Sequence, residues 1–186
     1  MNISKIGWIN LYTITKALDE SVAYGVVIQN KSIRNYINGC AMNITLPRAE
    51  LLSIIKGIEQ LVSGDYDVVI YTKCQYIIDA INKNTIMNWS RNGGFKSDGS
   101  PVKNMDLWEI LFNHIRRFSR VYCKKVRISS NYQELNKFDR WYYKNCVGEY
   151  SHTERQAFFI FKYMQEAIKL ADAAMFKFVM PFKILK

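Results

Sequence analysis

The stretch "DVVIYTKCQYIIDAI" (67–81) carries Lys73 where a short apolar run gives way to helical spacing. Many α/β enzymes place a catalytic carboxylate at the tip of such a strand, because an anion there can hold a divalent cation or move a proton. An ammonium repels a metal ion instead. Other chemistry-bearing residues are sparse. The four cysteines, Cys40, Cys74, Cys123 and Cys146, form no CxxC pair and have no histidine at ligand spacing, which argues against structural zinc. His114 sits among apolar neighbours in a helical pattern and His152 at a helix start. Neither lies near a candidate nucleophile, so Cys–His catalysis is not expected.

A chain of 186 residues is long enough for one domain with a real core and too short for two ordinary ones. Hydrophobic residues make up 49% and charged residues 23%, which excludes the composition of a disordered chain. The formal charge of +10 points to a polyanionic partner, although the abundance of Lys, Asn, Ile and Tyr also fits the codon bias of an AT-rich genome. The amino-terminal "MNISKIGWINLYTI" lacks the parts of a signal peptide, and no apolar run reaches the roughly 18 residues of a membrane span. These features lead to the expectation of an intracellular protein in a reducing compartment, cytoplasmic or nuclear, with no membrane association.

The elements that must position Lys73 follow from periodicity. "WINLYTI" (8–14), "VAYGVVIQ" (22–29) and "IRNYINGCAMNI" (33–44) read as three strands, the first two joined by the turn-like "TKALDES". "LPRAELLSIIKGIEQLVSG" then opens a helix at Pro47 that closes near Gly64, with one buried face. "YDVVIYT" is a fourth strand, "CQYIIDAINK" a helix, "NWSRNGGFKSDGSPVKN" (88–104) an exposed loop, "MDLWEILFNHIRRFS" a helix and "RVYCKKVRI" a last strand. "ELNKFDRWYYKN" begins another helix. The order predicts an α/β fold with a five-stranded mixed sheet, three antiparallel strands followed by parallel ones, flanked by helices. From Ser151 the chain changes to a long helix with a narrow polar stripe, ended by Pro181. We expect two parts, residues 1–150 as the α/β domain and 151–186 as a helical extension packing on the domain or on a partner.

This order of elements resembles the type 1-like ribonuclease H family, and four motifs in the right order carry the resemblance over about residues 8 to 145. "TLPRAELLSIIKGIEQL" is similar to the family's first helix. "VVIYTKCQYI" resembles its strand ending Thr-Asp-Ser-Gln-Tyr. "NWSRNGGFKSDGSPVKNMDLW" resembles the segment that precedes and opens a later helix, and "NKFD" the start of the last one. The resemblance implies four carboxylates holding two divalent ions about 4 Å apart. Matched one at a time, the positions read Ile14 in "LYTIT", Glu50 in "PRAEL", Lys73 in "YTKCQ" and Asp139 in "NKFD"; ten residues before the last, Ser129 stands where the family often has a histidine. Two of the four carboxylates are replaced. Asp19, Asp67 and Asp79 lie in a turn, at the wrong strand end and two turns into a helix, so none is expected to stand in.

The resemblance therefore implies a catalytically degenerate member, a pseudoenzyme with no metal, no cofactor and no catalytic residues. Lys73 is expected to take the place of the metals by pairing with Glu50 or Asp139, since two adjacent carboxylates otherwise raise each other's pKa. The family's substrate contacts map onto Arg48, Gln75, Lys103 and Asn104, with Arg91 and Lys96 in the same loop, so binding of an RNA–DNA hybrid or duplex could outlast the loss of chemistry. A second expectation, of a different class, is a structural subunit of a replication or transcription assembly of viral or mobile-element origin. It would dock a protein partner through the apolar extension, with Phe158, Phe161, Met164, Ile168 and Met175 as candidates. An active metal-dependent ribonuclease H is the remaining alternative.

Overall fold

The computed structural model describes residues 7–30, 34–126 and 162–177. β1 (Trp8–Leu18) and β2 (Ser21–Gln29) are antiparallel and joined by a two-residue turn at Asp19, whose φ is 53°. Asp is one of the few non-glycine residues that tolerate this left-handed conformation. The tightness of the turn extends β1 four residues beyond its expected end, because Thr15 and Lys16 still pair with Tyr24 and Ala23. β3 (Arg34–Met42) completes the antiparallel hairpins. β4 (Gly64–Thr72) and β5 (Phe118–Lys125) run parallel to β1, giving the mixed five-stranded order β3-β2-β1-β4-β5.

Four helices cover one face. α1 (Leu46–Glu59) starts at Thr45, whose hydroxyl accepts the amide hydrogen of Arg48, and has Pro47 in its first turn. It ends five residues before the expected stop, because Gly64 opens β4 instead. α2 (Gln75–Asn82) follows the expected helix and stops before Asn84, where φ is 54°; a further helix, α3 (Thr85–Arg91), buries Ile86 and Trp89 and takes up the start of what had read as loop from 88. α4 (Met105–Ile115) completes the layer. Leu11, Val26, Ile28, Val68 and Ile70 from the sheet pack against Ile54, Ile58, Ile77, Trp108 and Leu111 from these helices. Gly57 permits this approach, since a Cβ there would lie 2.5 Å from a methyl of Leu11.

The other face is covered by helical residues 162–177. Tyr163, Met164, Ala167, Ile168, Ala171, Ala174 and Met175 bury against Tyr12, Ile14, Ala23, Val27, Val69 and Tyr71. The approach is close: a Cβ on Gly25 would stand 2.0 Å from the carbonyl oxygen of Ala167. Lys16 pairs with Asp172 at 2.5 Å, and Arg34 donates to the Tyr163 hydroxyl at 2.9 Å. Of the two expectations for the extension, packing on the domain or on a partner, Met164, Ile168 and Met175 follow the first. They are 1%, 6% and 8% exposed because the sheet of the same chain uses them. Phe158 and Phe161 lie outside the described residues, as do Ser129, Asp139 and the expected helix from 134. Among the described residues no helix is long and apolar enough to cross a membrane.

Candidate functional site

β1, β4 and β5 end at the same side of the sheet, next to the first turns of α1 and α2, which is where open α/β sheets place their sites. Glu50 projects from α1 into this end and is only 4% exposed. Both of its oxygens are taken. Oε1 accepts from the hydroxyls of Thr13, at 2.9 Å, and Thr72; Oε2 accepts from Thr15 at 2.9 Å. A buried carboxylate needs such donors in place of water. The Thr72 hydroxyl in turn accepts the Cys74 amide hydrogen at 3.1 Å, tying the cage to the start of α2.

Alternation along β1 decides what Ile14 does. Thr13 and Thr15 face Glu50, so Ile14 between them faces the opposite side, where it is 4% exposed beneath helical residues 162–177. Lys73 is exposed beyond the tip of β4. Among the described residues no ion pair joins it to Glu50, whose two oxygens instead accept hydrogen bonds from three threonine hydroxyls. The pairing with Asp139 lies outside the described residues. A pair of divalent ions would need oxygen donors free to turn toward it. Among the described residues this end of the sheet offers one carboxylate engaged by three hydroxyls, an ammonium and an isoleucine, and no group of three metal-ligating side chains. The described donors alone do not make a two-ion site; Asp139, the other matched carboxylate, lies outside them. Cys74 and Cys123 add no nucleophile, because burial, reinforced by the Glu50 charge, pushes both thiols up from their usual range.

The candidate nucleic-acid contacts divide into two groups. Arg48 is committed within the chain: its guanidinium makes a bidentate pair with Asp106 at 2.6 and 3.0 Å and reaches the Asn104 side chain at 3.3 Å. Asn104 is the left-handed cap of α4, with φ 60°, so its backbone shapes the loop end. Gln75 accepts from the Lys125 ammonium at 2.9 Å. Arg91, Lys96 and Lys103 are exposed around the loop between α3 and α4, beside the half-exposed Phe95. That loop is ordered by a bridge between Phe95 and Pro101 and by glycines 93, 94 and 99 at positive φ. Two features escaped sequence reasoning, the threonine cage and the pair Lys124–Lys125. The alternation Thr13, Thr15 was the available signal for the first.

The fold and the site position define a ribonuclease H-like domain. The family's model, described as RNase H, matches residues 14–140, and the chain belongs to this family. The ribonuclease H of Syntrophomonas wolfei is 30% identical over 118 residues, covering 63% of this chain and 75% of that protein. Among solved structures, LC9-RNase H1, a type 1 RNase H with the type 2 active-site motif, superposes with a TM-score of 0.53 at 17% identity, over 72% of this chain and 69% of its own. The foamy viral protease-reverse transcriptase in complex with RNA/DNA hybrid superposes with a TM-score of 0.54 at 15% identity, over 70% of this chain and 18% of its own.

Proposed function

We propose that this chain binds nucleic acid without cleaving it, as a ribonuclease H family member whose metal chemistry has been replaced. The observation that carries the reading is the Glu50 cage: the carboxylate that matches a family ligand spends both oxygens on Thr13, Thr15 and Thr72. Ile14 and Lys73 support it, one sealed under the helical layer and the other a cation. Membership in a family that includes named ribonucleases H, and a net charge of +10, favour an RNA–DNA hybrid or duplex as the ligand. Arg91, Lys96 and Lys103 are the exposed loop cations that would meet its backbone, while Arg48 and Asn104 hold the loop end in place.

The test uses the full chain and an end-labelled RNA–DNA hybrid with Mg²⁺ or Mn²⁺. The expected result is a salt-dependent mobility shift and no cut strand at enzyme excess. Cleavage abolished by chelation and by Glu50→Gln would overturn the reading, as would failure to bind the hybrid or duplex at low salt.

A further inference from the structure

Where the family position calls for carboxylates that hold cations, this chain has gathered ammoniums. Lys73 follows the last residue of β4. Register places Lys124 beside Tyr71 and Lys125 beside Thr72 at the end of β5, and the pairing continues as the Val126 amide donates to the Thr72 carbonyl at 3.0 Å. Adjacent strands stand about 5 Å apart, so all three residues share one strand end. Lys124 and Lys125 flank it from opposite faces. The Lys124 ammonium lies over the rings of Tyr71 and Tyr122, 5.9 and 5.8 Å from their centroids, on the face of helical residues 162–177. The Lys125 ammonium is held by Gln75 at the first turn of α2, which contains no acidic residue. All three lysines are exposed.

Among the described residues, Glu50 is caged by hydroxyls, Asp67 pairs with Arg120 at the opposite end of the strands, and Asp79 pairs with Lys83 at 3.0 Å while its charge also reaches Lys125. Three like charges at one strand end repel one another, and an anion seated among them relieves that repulsion. Successive phosphates of a backbone crossing this end can accept from Lys73 at the tip and from Lys124 and Lys125 on the two flanks.

We propose that Lys73, Lys124 and Lys125 form a contact surface for the nucleic-acid backbone, each meeting a phosphate of its own around the vestigial centre. This rests on the nucleic-acid-binding reading above and names a contact point for it. The test is fluorescence anisotropy of a labelled RNA–DNA hybrid across a salt series, with the triple variant Lys73→Ala, Lys124→Ala, Lys125→Ala. Each lost phosphate contact lowers the slope of log affinity against log salt by about one, so the triple variant is expected to flatten it by about two to three. The triple Lys→Arg variant should keep the wild-type slope. Lys169→Ala, an exposed lysine of the helical segment, should leave it unchanged. Lysine acetylation supplies a second readout that needs no variant: bound hybrid should protect residues 73, 124 and 125 and leave 83 and 169 reactive. If the triple alanine variant binds with wild-type affinity and slope, or the three lysines acetylate equally with and without hybrid, the site is overturned while the binding reading stands. If the wild-type chain binds no hybrid, both fall.

Discussion

On the α1 side of the sheet, Leu11, Val26, Ile28 and Ile70 meet Ile54, Ile58, Trp108 and Leu111, a layer of large side chains supplied by four helices. On the other side, Tyr12, Ile14, Val27 and Tyr71 meet alanines and methionines of one helical segment, with Gly25 beneath its backbone. The first face gains stability from volume. The second gains it from closeness, which makes it sensitive to any added atom. The two faces also divide the site between them: the hydroxyls that hold Glu50 point to the first, and Ile14 points to the second. A carboxylate at position 14 would lie buried under residues 162–177 among apolar groups, where it would have to be neutral or paired.

Removing volume from the first face should have the largest effect. Ile54, fully buried, is expected to cost about 4 kcal/mol on Ile54→Ala, read as a fall in the urea midpoint with an unchanged slope. An equal loss for Ala167→Gly would undo the contrast between the faces. Glu50→Ala should cost about 3 kcal/mol, because three hydroxyls lose their acceptor, whereas Glu50→Gln keeps one acceptor and should cost less. Equal stability of wild type and Glu50→Ala would dissolve the cage. Gly25→Ala should cost about 2 kcal/mol and act locally, since the new methyl meets backbone rather than a side chain that can move. Hydrogen exchange should then show residues 162–177 losing protection while α1 keeps it; uniform loss would mean the faces are not separable.

The smallest effect concerns the rim. Arg48 beside Asp106 holds that carboxyl below its usual range. A depressed folded-state value means the stabilisation is present above the unfolded value of about 4 and is lost as pH falls through the folded one. Because the Asp106 side chain is 57% exposed, solvent screening limits the contribution to about 0.5 kcal/mol. Asp106→Asn should remove that increment at pH 7 and leave stability at pH 2 unchanged, measured by thermal unfolding at both.

The sheet was legible because its strands read as β-branched runs and its first helix as a spaced apolar face. α3 was not, since Thr85–Arg91 is short and its burial comes from Ile86 and Trp89 reaching α2 and α4. Lys73 was legible as a cation at a strand tip. The hydroxyls that meet Glu50 were not, because they come from three strand positions far from it in the chain. The destination of the apolar extension was open for the same kind of reason: an amphipathic pattern shows that a face must be covered and not by what.

By itself the sequence determined that Glu50 and Lys73 sit near the ends of neighbouring elements, because strand and helix periods are local properties of the chain. Only the tertiary structure decided that Glu50 closes on threonines 37, 35 and 22 residues away, that Ile14 turns from it, and that Lys73 stands with Lys124 and Lys125. Those outcomes depend on strand register, and a slip of one residue would exchange the two faces.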